Sequence, residues 1–326
     1  MKPIVNSLLD LDDYKMKMLN VAYIKGHSNV PVKYVFTNRI KSVDLGNWIK
    51  ISELEDQIAY VRNLEFADNE LKWLLSLGYS FGFVNFLREN IKLVQPNIIV
   101  KNDRFHGIEI EGAWKDTILW ETILLSIVNQ LFNKSYGKHF EAKLDLFDDD
   151  MVLKGVSNLE QKIELLKEYP DISISEFGTR RRFSNKWQEY VIKRLYQEIP
   201  QQLIGTSNLL FAKQFSIKPI GTIAHEMYQI YSGIYNEDII LAQNMLLNDW
   251  FEVYGGQGSI FLTDTFGTDF FFNNITFQQL INGWGFRQDS GDPFVIGEKI
   301  IKAYKDNGID PLGKIIVFSD GLTIPK

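Results

Sequence analysis

A parallel α/β fold joined to a smaller α+β domain is the fold class this sequence predicts, on three observations. From Asp171 to Gly321 short apolar runs end in polar, glycine-rich bursts: Ile172–Arg182, Leu203–Asn208, Pro219–Glu226, Ile260–Asp264, Gly285–Pro293 and Ile315–Gly321. Helical periodicity fills most of the gaps, so the repeating unit is strand, polar turn and helix. The earlier part of the chain lacks that repeat, and 326 residues suffice for one barrel-sized domain plus a smaller one. Parallel α/β folds carry their chemistry at the C-terminal strand ends, so the pattern points to an enzyme before any motif is considered.

In chain order, Lys33–Asn38 reads as a strand and Ile98–Glu111 as a hairpin around Asn102-Asp103, with helical patterns at Glu53–Val61 and Asn69–Leu77 between them. These make residues 1–113 an α+β domain, and residues 114–326 the α/β domain. Trp114–Leu131 is a long, mostly buried helix, and Asn158–Glu168 a second helix before the strand repeat begins. Ser184 is placed to cap a helix whose apolar positions Trp187, Val191, Leu195 and Ile199 recur every fourth residue. Pro293 opens a further helix at a favoured first position.

Composition narrows the function. A net charge of −6 argues against nucleic-acid binding, so any anionic ligand must be met by local arginines. With no cysteine, thiol nucleophiles, zinc-thiolate sites and disulfides are excluded. The histidines are His27, His106, His139 and His225. Met1–Asp13 lacks a signal-peptide pattern and Thr117–Phe132 is too short and too broken by Glu121 to span a bilayer, so a soluble cytoplasmic protein is expected.

Three motifs stand at strand ends. Glu176-Phe-Gly-Thr-Arg-Arg-Arg182 puts arginines before a helix, where a phosphate is the natural guest, and Phe177 offers a face for a flat ring. The bland alternative is a solvated basic turn. Gly221-Thr-Ile-Ala-His-Glu226 sets His225 five residues beyond the strand Lys218–Ile220 with Glu226 beside it; such an imidazole is either structural or a base or nucleophile whose tautomer a carboxylate fixes. Gly285-Phe-Arg-Gln-Asp-Ser-Gly-Asp-Pro293 supplies one cation, with carboxylates for sugar hydroxyls or hydrated Mg2+, although the same residues serve as a plain turn. Ser319-Asp-Gly321 repeats the acid-glycine theme one strand later. Gly308–Ile315 imitates a P-loop but has isoleucine in place of the metal-binding hydroxyl and precedes a strand, so it is rejected.

Seven elements in order carry a family resemblance: Leu9–Met16, Trp114–Glu121, Glu176–Arg182, Gly205–Asn208, Gly221–Glu226, Arg287–Pro293 and Phe318–Gly321. By these the chain resembles the nicotinate phosphoribosyltransferases. The resemblance implies an irregular TIM-like α/β barrel packed on an N-terminal domain, and a homodimer with shared active sites. It also implies formation of nicotinate mononucleotide and pyrophosphate from nicotinate and phosphoribosyl pyrophosphate, in NAD salvage, with coupled ATP hydrolysis. His225 matches the histidine the family phosphorylates, with Glu226 and Asp289 as catalytic partners. Thr222 and Arg287 match nicotinate contacts, while Phe177 and Tyr14 match the aromatic pair around the ring, Tyr14 coming from the partner subunit. Arg180, Lys15, Ser290 and Gly291, with Arg39 from the neighbour, would face phosphates. Asp289 and Asp320 would hold ribose hydroxyls or Mg2+.

The related nicotinamide enzymes have an aspartate in the motif that here reads Gly205-Thr-Ser-Asn208. The uncharged Ser207 implies preference for the acid over the amide. The family continues into further strands and a glycine-threonine phosphate loop that this sequence lacks, so it reads as C-terminally truncated. The competing expectations are a truncated, non-catalytic barrel that binds a pyridine or sugar phosphate, and a nicotinamide-preferring relative.

Overall fold

The computed structural model describes residues 2–40, 42–139 and 150–321. The chain forms two compact units: one holds residues up to Asn20 and His27–Gly221, the other Val21–Gly26 and Thr222 onward. Ala113, where the sequence sets the expected boundary, is the last residue of a strand within the first unit.

The first unit opens with α1 (Asp13–Ile24), whose last turn is counted with the second, and continues through β1 (Pro31–Val35), α2 (Ile51–Arg62), α3 (Asp68–Ser76) and α4 (Phe81–Asn90). The hairpin β2 (Asn97–Lys101) and β3 (Arg104–Ala113) turns on Asn102 and Asp103, both left-handed at φ 50° and 58°. That is the paired positive-φ geometry that a two-residue hairpin demands. β3 is the centre of an antiparallel sheet, order β1-β3-β2. The expected helix after residue 113 is two, α5 (Trp114–Thr117) and α6 (Trp120–His139), and its Trp114 and Trp120 are fully buried. Trp120 stays dry at no cost because its Nε1 donates to Val94 O at 3.0 Å. Then follow α7 (Asp150–Glu168), β4 (Ile174–Glu176), α8 (Asn185–Glu198), β5 (Leu203–Thr206) and α9 (Leu209–Phe215). Ser184 caps α8 as expected, accepting from Trp187 N at 3.1 Å.

β4 and β5 pair in parallel, and Pro219 adds a single parallel bridge to Thr206 where the sequence suggested a full strand. Proline has no N–H to donate to a ladder, so the segment stops at one bridge. That bridge brings Lys218 O to 2.0 Å from where a Cβ on Gly205 would stand, so position 205 admits no side chain without backbone movement.

The second unit runs α10 (His225–Ile234), α11 (Ile239–Gly258), β6 (Ile260–Leu262), α12 (Thr268–Asn274), α13 (Phe277–Asn282), β7 (Gly285–Gln288), α14 (Pro293–Asp306) and β8 (Ile315–Phe318). Its sheet is parallel throughout, order β6-β7-β8, so three C-terminal strand ends lie side by side. Phe286 on β7 anchors the core, with Phe271, Phe272 and Tyr304 rings at 5.7, 5.1 and 5.4 Å. α14 begins at Pro293, capped by Asp292. Among the described residues no helix is long and apolar enough to cross a membrane.

Candidate functional site

In the second unit the chain beyond each strand delivers one or two polar groups: Asp264 and Thr265 after β6, Asp289 after β7, Ser319 after β8. His225 is the first residue of α10. Its Nε2 lies 3.0 Å from Asp289 Oδ2, its Nδ1 3.0 Å from Thr265 Oγ1, and Asp264 Oδ1 stands 3.8 Å from Nε2. Arg287 holds the carboxylate from the other side: Nη2 donates to Asp289 Oδ1 at 2.7 Å, Nη1 to Thr222 Oγ1 at 3.3 Å and Nε to Ser319 Oγ at 2.9 Å. Ser319 Oγ is in turn 2.6 Å from Asp289 Oδ1.

Burial alone would raise the Asp289 carboxyl. The hydrogen bond from His225, the Arg287 charge and the Ser319 hydroxyl outweigh it and hold the group well below its ordinary value of 3.8. An ionised carboxylate only accepts, so Nε2 carries a ring hydrogen toward Asp289 and Nδ1 is the nitrogen that faces Thr265. The imidazole is held at Nε2 by Asp289, 64 residues away in sequence, where the sequence pointed to the adjacent Glu226. Asp264 and Thr265 were not singled out from sequence, although the run ending at Asp264 was; an Asp-Thr pair closing an apolar strand was the available signal. Ser290 Oγ donates to Asp264 Oδ2 at 2.5 Å, while Asp264 Oδ1 is buried without a hydrogen-bond partner among the described residues. Gly291 lies beside Ser290 at φ 83°, its carbonyl accepting from Gln288. Asp320 is exposed, and among the described residues its side chain makes no hydrogen bond or ion pair; the neighbouring Ser319 is the residue of that motif that contacts Asp289.

The first unit gathers the other set. Asp10, Arg182, Asn185 and Asn208 form a buried network: Arg182 grips Asp10 through both terminal nitrogens at 2.6 and 2.8 Å, and the amides of Asn185 and Asn208 add two more donors at 3.1 and 2.8 Å. Glu176 receives Thr206 Oγ1 at 2.5 Å, Gly178 N at 2.6 Å and Gln188 Nε2 at 3.2 Å. Its carboxylate folds so tightly over the turn that a Cβ on Gly178 would meet Oε1 at 2.4 Å. The three arginines thus separate. Arg182 is sealed in the core and structural, Arg181 is exposed, and Arg180 lies between Asp12 at 3.3 Å and Glu121 at 3.5 Å with its guanidinium 5.5 Å from the Tyr14 ring centre.

Tyr14 is buried against Arg180 and Lys15 of its own chain. Lys15 is fully buried too, paired with Glu121 and lying over the Tyr14 and Tyr34 rings. Ser207 donates to Asp12 Oδ1 at 2.6 Å, so the neutral residue of the sequence argument sits against a carboxylate. Burial raises Asp12 above its ordinary 3.8 despite Arg180 and Ser207, and raises Glu176 above 4.5 despite its donors. Phe177 is 40% exposed, and Arg39 is exposed in the irregular stretch after β1. The side chain of His139 lies outside the described residues.

An imidazole beside the ends of parallel strands, braced by a carboxylate and an arginine, marks an α/β enzyme equipped for group transfer. Two family models match: the nicotinate phosphoribosyltransferase family over residues 172–326, and the N-terminal domain of the same family over residues 9–129. The chain belongs to the nicotinate phosphoribosyltransferase family.

It is 34% identical to a nicotinate phosphoribosyltransferase of Photorhabdus laumondii, over 99% of this chain and 79% of that protein. The solved nicotinate phosphoribosyltransferase of Vibrio cholerae superposes with a TM-score of 0.84 at 34% identity, covering 98% of this chain and 74% of that one. The Porphyromonas gingivalis enzyme gives 0.85 at 28% identity, covering 98% and 79%.

Proposed function

We propose that this chain transfers the phosphoribosyl group of phosphoribosyl pyrophosphate to nicotinate, giving nicotinate mononucleotide and pyrophosphate for NAD salvage, with ATP hydrolysis coupled through a phosphohistidine at His225. Family membership supports the transfer, and the observation that carries the coupling is the 3.0 Å contact between His225 Nε2 and an ionised Asp289. Ribosyl transfer passes through a cation-like sugar, so the enzyme must hold the leaving pyrophosphate, orient the ring nitrogen and exclude water. Arg180 and Arg287 are the cations assigned to anionic groups, Phe177 and Tyr14 the aromatic faces for the pyridine, and Asp289 a carboxylate for ribose hydroxyls.

Attack by Nδ1 on a phosphoryl group leaves an imidazolium whose Nε2–H faces Asp289, which stabilises the charge as it forms. Asp264 and Asp289 supply hard oxygen donors, one of them otherwise unpartnered, and so fit Mg2+, which when bound with nucleotide would neutralise phosphate charge. The proposal extends to the irregular barrel, supported by the parallel pairing of every strand after residue 172, and to a cytoplasmic homodimer, in which exposed Arg39 is free to serve a neighbouring site. Ser207 is retained as the discriminator for the acid, acting together with Asp12; Ser207→Asp would put a second carboxylate beside Asp12 and should reverse the preference toward nicotinamide.

A steady-state assay of nicotinate mononucleotide with and without ATP tests the reading. ATP should stimulate the wild-type chain and not His225→Ala. Equal stimulation of both, or no product from nicotinate, would overturn it.

A further inference from the structure

We propose that Thr265 is a positioning residue for the reactive nitrogen of His225, donating its hydroxyl to Nδ1 at rest and to a phosphoryl oxygen after transfer; this rests on the phosphohistidine reading above. The direction of the resting hydrogen bond follows from the chemistry of the pair. Asp289 is tied by Arg287 at 2.7 Å and Ser319 at 2.6 Å and acts as an acceptor, so Nε2 bears the hydrogen. Attack on phosphorus requires the neutral ring with a lone pair on Nδ1, and in that reactive state the 3.0 Å contact with Thr265 Oγ1 has the hydroxyl as its donor. The ring is thereby pinned at both nitrogens, which fixes its plane as well as its tautomer.

The same contact occupies the line along which phosphorus must approach. Phosphoryl transfer requires the Nδ1 lone pair to form the N–P bond while the bond from phosphorus to the bridging oxygen of a nucleoside triphosphate breaks, the diphosphate leaving with the electron pair. No proton moves: the hydrogen stays on Nε2, donated to the Asp289 carboxylate. Thr265 must therefore turn about its Cα–Cβ bond as phosphorus arrives. Its hydroxyl is freed beside the new phosphoryl oxygens, to which it donates instead of to nitrogen. Thr265 lies three residues beyond the end of β6 and Asp289 one residue beyond β7, the neighbouring parallel strand, so donor and carboxylate are delivered by short segments leaving adjacent strand ends.

The test measures the rate of label transfer to the intact chain from ATP radiolabelled at the terminal phosphate, in wild type, Thr265→Val, Thr265→Ser and His225→Ala. Valine keeps the shape and removes the hydroxyl; serine does the reverse. The hydroxyl role requires labelling to fall roughly tenfold or more in Thr265→Val, the worth of one such hydrogen bond, and to stay within about threefold of wild type in Thr265→Ser. Wild-type rates in Thr265→Val, or an equal loss in both variants, would overturn the positioning role while leaving the phosphohistidine intact. An unlabelled wild-type chain would overturn both. If the valine chain does not fold, Thr265→Ala is read against Thr265→Ser in its place, with the same outcomes.

Discussion

The Asp10–Arg182 network and the His225–Asp289 cluster are made of the same residue types at the same kind of place, yet one is sealed and the other open. Asp10 and Arg182 are essentially without exposure and the carboxylate takes four donors, so every acceptor is met from inside the protein. His225 retains 40% of its side-chain exposure, and Asp264 beside it keeps a buried oxygen with no partner. A buried network whose carboxylate is fully met fixes shape, although Arg182 Nε is itself buried without a hydrogen-bond partner among the described residues, whereas the partly exposed cluster retains capacity to bind or react. Carboxyl chemistry separates in the same way: burial pushes Asp12 and Glu176 up, while Arg287, His225 and Ser319 hold Asp289 down.

The comparison breaks first at Arg182. Arg182→Met leaves Asp10 charged and uncompensated in the core and should cost about 3–5 kcal/mol by urea unfolding. Loss of less than about 1 kcal/mol would show that the network does not hold the first unit together. Gly205→Ala forces a methyl onto Lys218 O and should cost about 1–3 kcal/mol in the same measurement, with no change in the His225 cluster. Removing the α8 cap with Ser184→Ala should cost about 1 kcal/mol, a local effect that calibrates the other two.

The smallest expected effect is with pH, and its sign differs between the clusters. A raised carboxyl favours the folded state below its unfolded value and loses that contribution as pH rises through the folded value. Asp12 and Glu176 therefore make the first unit relatively more stable at lower pH, with the contribution complete below their ordinary values of 3.8 and 4.5 and lost as pH rises through the raised folded values. Asp289 is lowered, so its contribution is complete above the ordinary 3.8 and disappears only as pH falls through its folded value. Hydrogen exchange of β4 and β5 amides, corrected for intrinsic rate, should thus show greater protection at the lower pH while β7 amides are unchanged. A gain in β7 equal to that in β4 would remove the distinction.

Strand ends were legible because apolar runs closing in Asp, Ser, Thr and Gly have few other uses, and the hairpin at Asn102-Asp103 was legible because those residues tolerate positive φ. α1 was not. Nearly all of Asp13–Ile24 is buried, so the helix has no solvent face and shows no 3.6-residue stripe. The residues of both clusters were visible as types, but not their pairing. Glu226 was favoured because it is adjacent to His225, whereas adjacent helical residues point apart and the partner arrives from β7. Likewise three arginines in a row carry no mark of which one is buried; only the meeting of Arg182 with Asp10, 172 positions away, decides it.

The most direct test sets Asp289→Asn against wild type, measuring nicotinate mononucleotide formation in the presence of ATP alongside the urea unfolding midpoint. An amide in place of the carboxylate should lower product formation by roughly 10²–10⁴-fold, the range for a lost acid-base partner, with the unfolding free energy changed by no more than about 1 kcal/mol. An Asp289→Asn chain that forms product at the wild-type rate would contradict the assignment of His225 and Asp289 as the reacting pair.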